Sequence, residues 1–123
     1  MPAERFEAGS DVQPHAKIST HILDTTTGDP ARDVYVRLER RDADGWSTVA
    51  EGRTDDDGRL RHRVPLGQWQ AGGYRLLFYV EPYLGNDAFF PEIVVAFHVR
   101  DPERHYHVPL LLSRYGYTTY RGS

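Results

Sequence analysis

Apolar and polar residues alternate with a period of two along most of this chain, which puts successive side chains on opposite faces of extended strands. In KISTHILD (residues 17–24), Ile18, Thr20 and Ile22 share one face, and Ser19, His21 and Leu23 the other. The turn formers of TTTGDPARD then interrupt the pattern, after which Val34, Val36 and Leu38 alternate against Tyr35, Arg37 and Glu39. A turn at 42–45 leads into a less regular strand at 46–54, and Asp57-Gly58 predicts a hairpin turn into LRHRV. Two core strands come next: Tyr74, Leu76, Phe78 and Val80 line one, and Ile93, Val95, Phe97 and Val99 the other. The segment HYHVPLLLSRYGYTTYRGS predicts two more, joined around 113–116.

About eight short strands with short turns, and no long helical stripe, point to an all-β sandwich of two sheets. EPYLGNDAF is too long for a tight hairpin and predicts one short helix. Residues 1–16 are polar and carry Gly9, Ser10, Pro2 and Pro14, which reads as a flexible N-terminal arm ahead of a single domain at 17–123.

Composition narrows the function. A chain of 123 residues builds one core, and a hydrophobic fraction of 39% sets it apart from disordered sequences. The net charge of −3 offers no footprint for a polyanion, so nucleic acid is not an expected partner. With no cysteine there is no disulfide framework, thiolate zinc site or cysteine nucleophile. No apolar run suits a secretory signal or a membrane span, so the expectation is a cytoplasmic protein without a membrane partner.

Candidate chemistry is therefore left to His, Ser, Arg and carboxylates. The TDDDG turn does not fit a calcium loop, because EF-hand spacing would put Arg53 at the first ligand position and Val64 at the bidentate one. HYH places His105 and His107 on one strand face, a pattern open to structural histidines, a metal pair or an acid/base pair. His21 strengthens the last two readings if its strand lies beside them. His15, His62 and His98 read as surface residues. There is no serine-nucleophile elbow, phosphate loop or paired-carboxylate motif, which leaves attack by water as the simplest hydrolytic route.

The run STHILDTTTGDPARDVYVRLER, the turn TDDDGR, the segment HYHVPLLLS and the terminal YRGS, in this order and at these distances, resemble the transthyretin-like 5-hydroxyisourate hydrolases over about residues 17–123. In that fold YRGS is the signature that separates the hydrolases from the hormone carrier transthyretin, and it stands unaltered at Tyr120, Arg121, Gly122 and Ser123. The resemblance implies a transthyretin-like sandwich of two four-stranded sheets with one short helix, assembled as a homotetramer with sites in a channel between dimers. It implies hydrolysis of 5-hydroxyisourate to 2-oxo-4-hydroxy-4-carboxy-5-ureidoimidazoline in urate degradation.

By the same resemblance His21, Arg59 and His107 are the catalytic residues, with no cofactor and no metal. Either imidazole can accept a proton from water at neutral pH. Arg59 offers a charged planar fork to a carbonyl-rich heterocycle and its developing oxyanion. Ser123 joins the catalytic group through its hydroxyl and terminal carboxylate, which could fix a histidine tautomer. His105, Tyr120, Arg121 and Gly122 are substrate-binding candidates, with packing or interface duty equally open for Tyr120 and Arg121. Two other functions compete: a carrier using the same channel without turnover, and a zinc site built from His21, His105 and His107.

Overall fold

A computed structural model of the chain describes residues 15–123, apart from the side chains of His15, Ala16 and Leu66. The arm expected at 1–16 lies outside the described residues except where His15 and Ala16 open the first strand. Strand β1 (His15–Asp24) runs through the interior of one sheet, with Ile18, Thr20 and Ile22 buried. On one side it pairs in parallel with β8 (Tyr106–Leu112), Ser19 opposite His107. On the other it pairs antiparallel with β5 (Arg59–Val64), His21 opposite Arg59, and then with the two-residue β2 (Asp29–Pro30). The terminal strand β9 (Tyr117–Thr119) adds to β8.

The second sheet is wholly antiparallel, in the order β4 (Gly45–Arg53), β3 (Tyr35–Asp42), β6 (Gly72–Tyr79) and β7 (Glu92–Val99). Between the sheets, Val36, Leu38, Leu76 and Phe78 meet Ile18, Ile22, Leu110 and Leu112, all fully buried. Each such side chain contributes about 1.5–3 kcal/mol by leaving water. The expected helix is one turn, α1 (Glu81–Leu84), tied to the end of β1 where the Tyr83 hydroxyl donates to Asp24 over 2.9 Å. Burial and the Asp24 carboxylate push the Tyr83 phenol up to about 12. No helix among the described residues is long and apolar enough to cross a membrane.

Three expectations need correction. The sheet that holds β1 has five strands where four were implied, because Ile22 accepts the Ala31 N–H and β2 pairs briefly inside the loop expected there. Asp57-Gly58 is a turn but not a hairpin: β4 before it and β5 after it belong to different sheets. His62 is not a surface residue. It is only 2% exposed, because Leu60, His62 and Val64 form the inward phase of β5 while Arg59, Arg61 and Arg63 point out. His98, by contrast, is exposed as expected.

Candidate active site

The outer face of the five-stranded sheet collects the polar residues that alternate with its core. On β1 these are Ser19 and His21, on β5 Arg59 and Arg61, and on β8 His107. Register sets their spacing: His21 faces Arg59 directly across β1 and β5, while His107 faces Ser19 across β1 and β8. Three strands far apart in sequence thus place two imidazoles and a guanidinium on one surface.

Arg59 is delivered by the acidic turn before it. Asp55 Oδ1 accepts the N–H groups of Asp57 and Arg59, each at 2.9 Å, and the Asp55 carbonyl accepts that of Gly58. Gly58 has φ +74° and lies so close to β1 that a Cβ there would fall 2.5 Å from the Ile22 carbonyl oxygen. Only glycine fits both the conformation and the approach, and its own carbonyl accepts the Ile22 N–H over 2.8 Å. TDDDG is therefore a bracket that pins the start of β5 against β1.

His107 is half-buried, and its Nδ1 shares a 2.8 Å hydrogen bond with Ser19 Oγ. Burial, then the neighbouring His21 and Arg59, hold this imidazole below its ordinary pKa, partly opposed by the Ser19 backbone, which favours the charged ring as an acceptor. These causes favour the neutral ring, the form able to take a proton. A cleft of about 380 Å³ opens beside it, walled by Ser19, Asp55, Arg59, Arg61 and His105 among others. His21 is not among the residues that wall this cleft in the single chain.

The C-terminal tail closes on the other side of His107. Gly122 N–H donates to the His107 carbonyl over 2.8 Å, and the two residues form an isolated antiparallel bridge. The Arg121 guanidinium lies 4.9 Å over the Tyr106 ring. Arg121, Gly122 and Ser123 line a second hollow with Arg104 and His105, so His105 borders both spaces. Tyr120 is exposed and lines neither; it borders an apolar recess with Phe97, Tyr106 and His107. Ser19, and not Ser123, holds Nδ1 of His107, while Ser123 lies beside His105.

Ser19 was not among the residues singled out from the sequence. Its signal was present, since it stands two residues before His21 and so shares its face. Among the described residues no group of three His, Asp or Glu side chains lies close enough to hold a metal ion, so His21, His105 and His107 do not converge within one chain.

The profile described as HIUase/Transthyretin family matches residues 18–122. A 5-hydroxyisourate hydrolase of Salmonella typhi is 46% identical over 125 residues, covering 99% of this chain and 88% of its own. The solved 5-hydroxyisourate hydrolase of Klebsiella pneumoniae superposes with a TM-score of 0.73 at 35% identity, covering 86% of this chain and 97% of that one. Transthyretin from Sparus aurata superposes with a TM-score of 0.79 at 33% identity, covering 88% and 97%. The shape of the sandwich alone thus does not separate the two.

Proposed function

This chain belongs to the HIUase/transthyretin family, and from that membership and its outer-face histidines we infer that it hydrolyses 5-hydroxyisourate to 2-oxo-4-hydroxy-4-carboxy-5-ureidoimidazoline, a step of urate degradation. The observation that carries the reading is the grouping of His21, Arg59 and His107 on adjacent strands of one sheet face. A carrier needs a channel but has no use for a neutral imidazole beside a guanidinium.

In the proposed reaction water adds to a ring carbonyl carbon while an imidazole takes its proton. Arg59 stabilises the oxyanion of the tetrahedral intermediate. Collapse breaks the carbon–nitrogen bond, and the imidazolium returns the proton to the leaving nitrogen. His21 acts beside His107, and His105, Tyr120, Arg121 and Gly122 bound the substrate's space. Ser123 serves beside His105, where its hydroxyl and carboxylate can orient a neighbouring histidine. No cofactor or metal enters these steps.

The reading includes homotetrameric assembly and a cytoplasmic location. Support for assembly comes from the site itself: Arg59, His105, Arg121 and Ser123 are exposed around two open hollows that share His105, and a facing copy would supply the opposite wall that encloses a small heterocycle. Light scattering that finds a monomer at working concentration overturns this part.

The deciding experiment follows the near-ultraviolet absorbance of freshly generated 5-hydroxyisourate with the wild type, His107→Ala and Arg59→Ala. The wild type is expected to accelerate its loss, and each variant to lose at least about 100-fold in kcat/KM. No acceleration by the wild type over spontaneous decay ends the reading.

A further inference from the structure

Ser19 touches the His107 ring, yet nothing in the reaction as written requires it. The two residues are opposite each other in the parallel β1–β8 ladder, and both project onto the outer face. Ser19 therefore meets the imidazole from directly across the ladder. Its hydroxyl is 2.8 Å from Nδ1, and its backbone lies on the side of the ring where it favours the charged imidazole. A backbone carbonyl can only accept, so its influence favours a hydrogen on the ring, and Ser19 Oγ stands where it can accept that hydrogen at Nδ1.

The ring cannot readily turn away from this arrangement. Gly122 lies against its other side, so close that a Cβ at 122 would sit 2.6 Å from Cδ2 and 3.3 Å from Cγ. Packing fixes the plane of the imidazole and Ser19 fixes which nitrogen carries hydrogen. Such a partner controls a catalytic histidine without touching substrate.

Resting on the hydrolase reading, we propose that Ser19 is a positioning residue for the reaction: it holds the His107 proton on Nδ1 and so keeps the Nε2 lone pair available to accept the proton of the attacking water. When Nε2 takes that proton, the imidazolium keeps the Ser19 hydroxyl as acceptor at Nδ1, and Nε2 then returns the proton to the leaving ring nitrogen. Ser19 itself gains and loses nothing in the cycle.

The test combines kinetics with long-range proton–nitrogen spectra of the imidazoles in uniformly labelled protein, recorded without substrate. In the wild type above the titration of His107, Nδ1 is expected at the shift of a protonated nitrogen and Nε2 at that of a bare one. Ser19→Ala should move the population toward the Nε2–H form and lower kcat about tenfold, the scale of one lost hydrogen bond, with KM within about twofold. Ser19→Thr, which keeps the hydroxyl, should restore both. A wild type in the Nε2–H form, or Ser19→Ala with unchanged tautomer and kcat, overturns the proposal. Because the spectra need no turnover, a wild type inactive on 5-hydroxyisourate is a separate result, which removes the hydrolase reading.

Discussion

The imidazole of His107 and the α-carbon of Gly122 are packed so closely that a methyl group has no place between them: a Cβ at 122 would lie 2.6 Å from Cδ2 of the ring and 3.4 Å from Pro109 Cγ. The glycine of YRGS is therefore required by proximity and not by its backbone angles. Gly122→Ala must either rotate the ring off Ser19 or lift the tail off β8. Both outcomes misplace a reacting group by about the distance that costs 100-fold in rate. The core is untouched, so kcat/KM is expected to fall by about 10- to 100-fold while the melting temperature moves only a few degrees. Wild-type rates in this variant remove the tail from the site.

The same histidine sets a pH signature. Burial, His21 and Arg59 all disfavour its charged form, so the acid limb of the kcat/KM profile is expected below the ordinary histidine value of 6.5. Deleting the positive charge with Arg59→Gln relieves one of these causes, makes imidazolium easier to form and raises the pKa. The limb should move toward higher pH, a shift that a proton-resonance titration of His107 reads even where turnover is weak. A titration of His107 that is unmoved by the substitution shows that Arg59 does not sense it.

His62 makes a different pH dependence, in stability. Both ring nitrogens are buried without a hydrogen-bond partner among the described residues, and burial pulls the pKa down to about 4. In the unfolded chain it titrates near 6.5, so between these values the unfolded state binds more protons. The stability linked to neutral His62 is complete above about pH 6.5 and is lost as pH falls toward 4, a swing of about 3 kcal/mol. Urea unfolding at about pH 7.5 and about pH 4.5 should show His62→Leu losing less stability than the wild type by roughly this amount. Equal losses in the two proteins would place the acid sensitivity elsewhere.

His62 also shows where reading the sequence stops. Leu60, His62 and Val64 lie at i, i+2 and i+4, so the alternation did place the imidazole inward; polarity argued the other way, and burial of its apolar neighbours decided the outcome. The Asp57-Gly58 turn was legible from local chemistry, since Asp55 caps it and Gly58 alone tolerates its conformation. What the turn connects was not, because leaving one sheet for the other depends on β1, more than thirty residues upstream, receiving β5 at its edge. The site divides in the same way. The face shared by Ser19 and His21 follows from their spacing, but the bond from Ser19 to His107 spans 88 positions and is fixed only by the register of two parallel strands. Grouping His21, Arg59 and His107 came from a family resemblance rather than from periodicity.

Glu39 offers a test confined to the opposite side of the molecule. It alternates outward on β3 as the pattern predicts, yet it is only 6% exposed, because arginines on β3 and β6 fold over it. Arg75 Nε donates to Oε1 over 2.7 Å, while Arg37 Nε lies 2.9 Å from Oε2 with its N–H directed elsewhere, an attraction of charges rather than a hydrogen bond. The Arg75 guanidinium also stacks 4.4 Å over Trp46, and that of Arg37 5.5 Å over Tyr79, so the carboxylate anchors two side chains that cover the outer sheet. Removing it leaves two cations facing each other with no anion between them. Because both guanidiniums remain nearly a third exposed, water offsets part of the loss, and Glu39→Ala is expected to cost about 2 kcal/mol, below the usual range for a fully buried pair. Turnover should be unchanged, since the candidate site lies on the outer face of the other sheet. Urea unfolding beside the absorbance assay measures both quantities, and a fall in kcat/KM without a fall in stability would mean that the two sheet faces are coupled through the core.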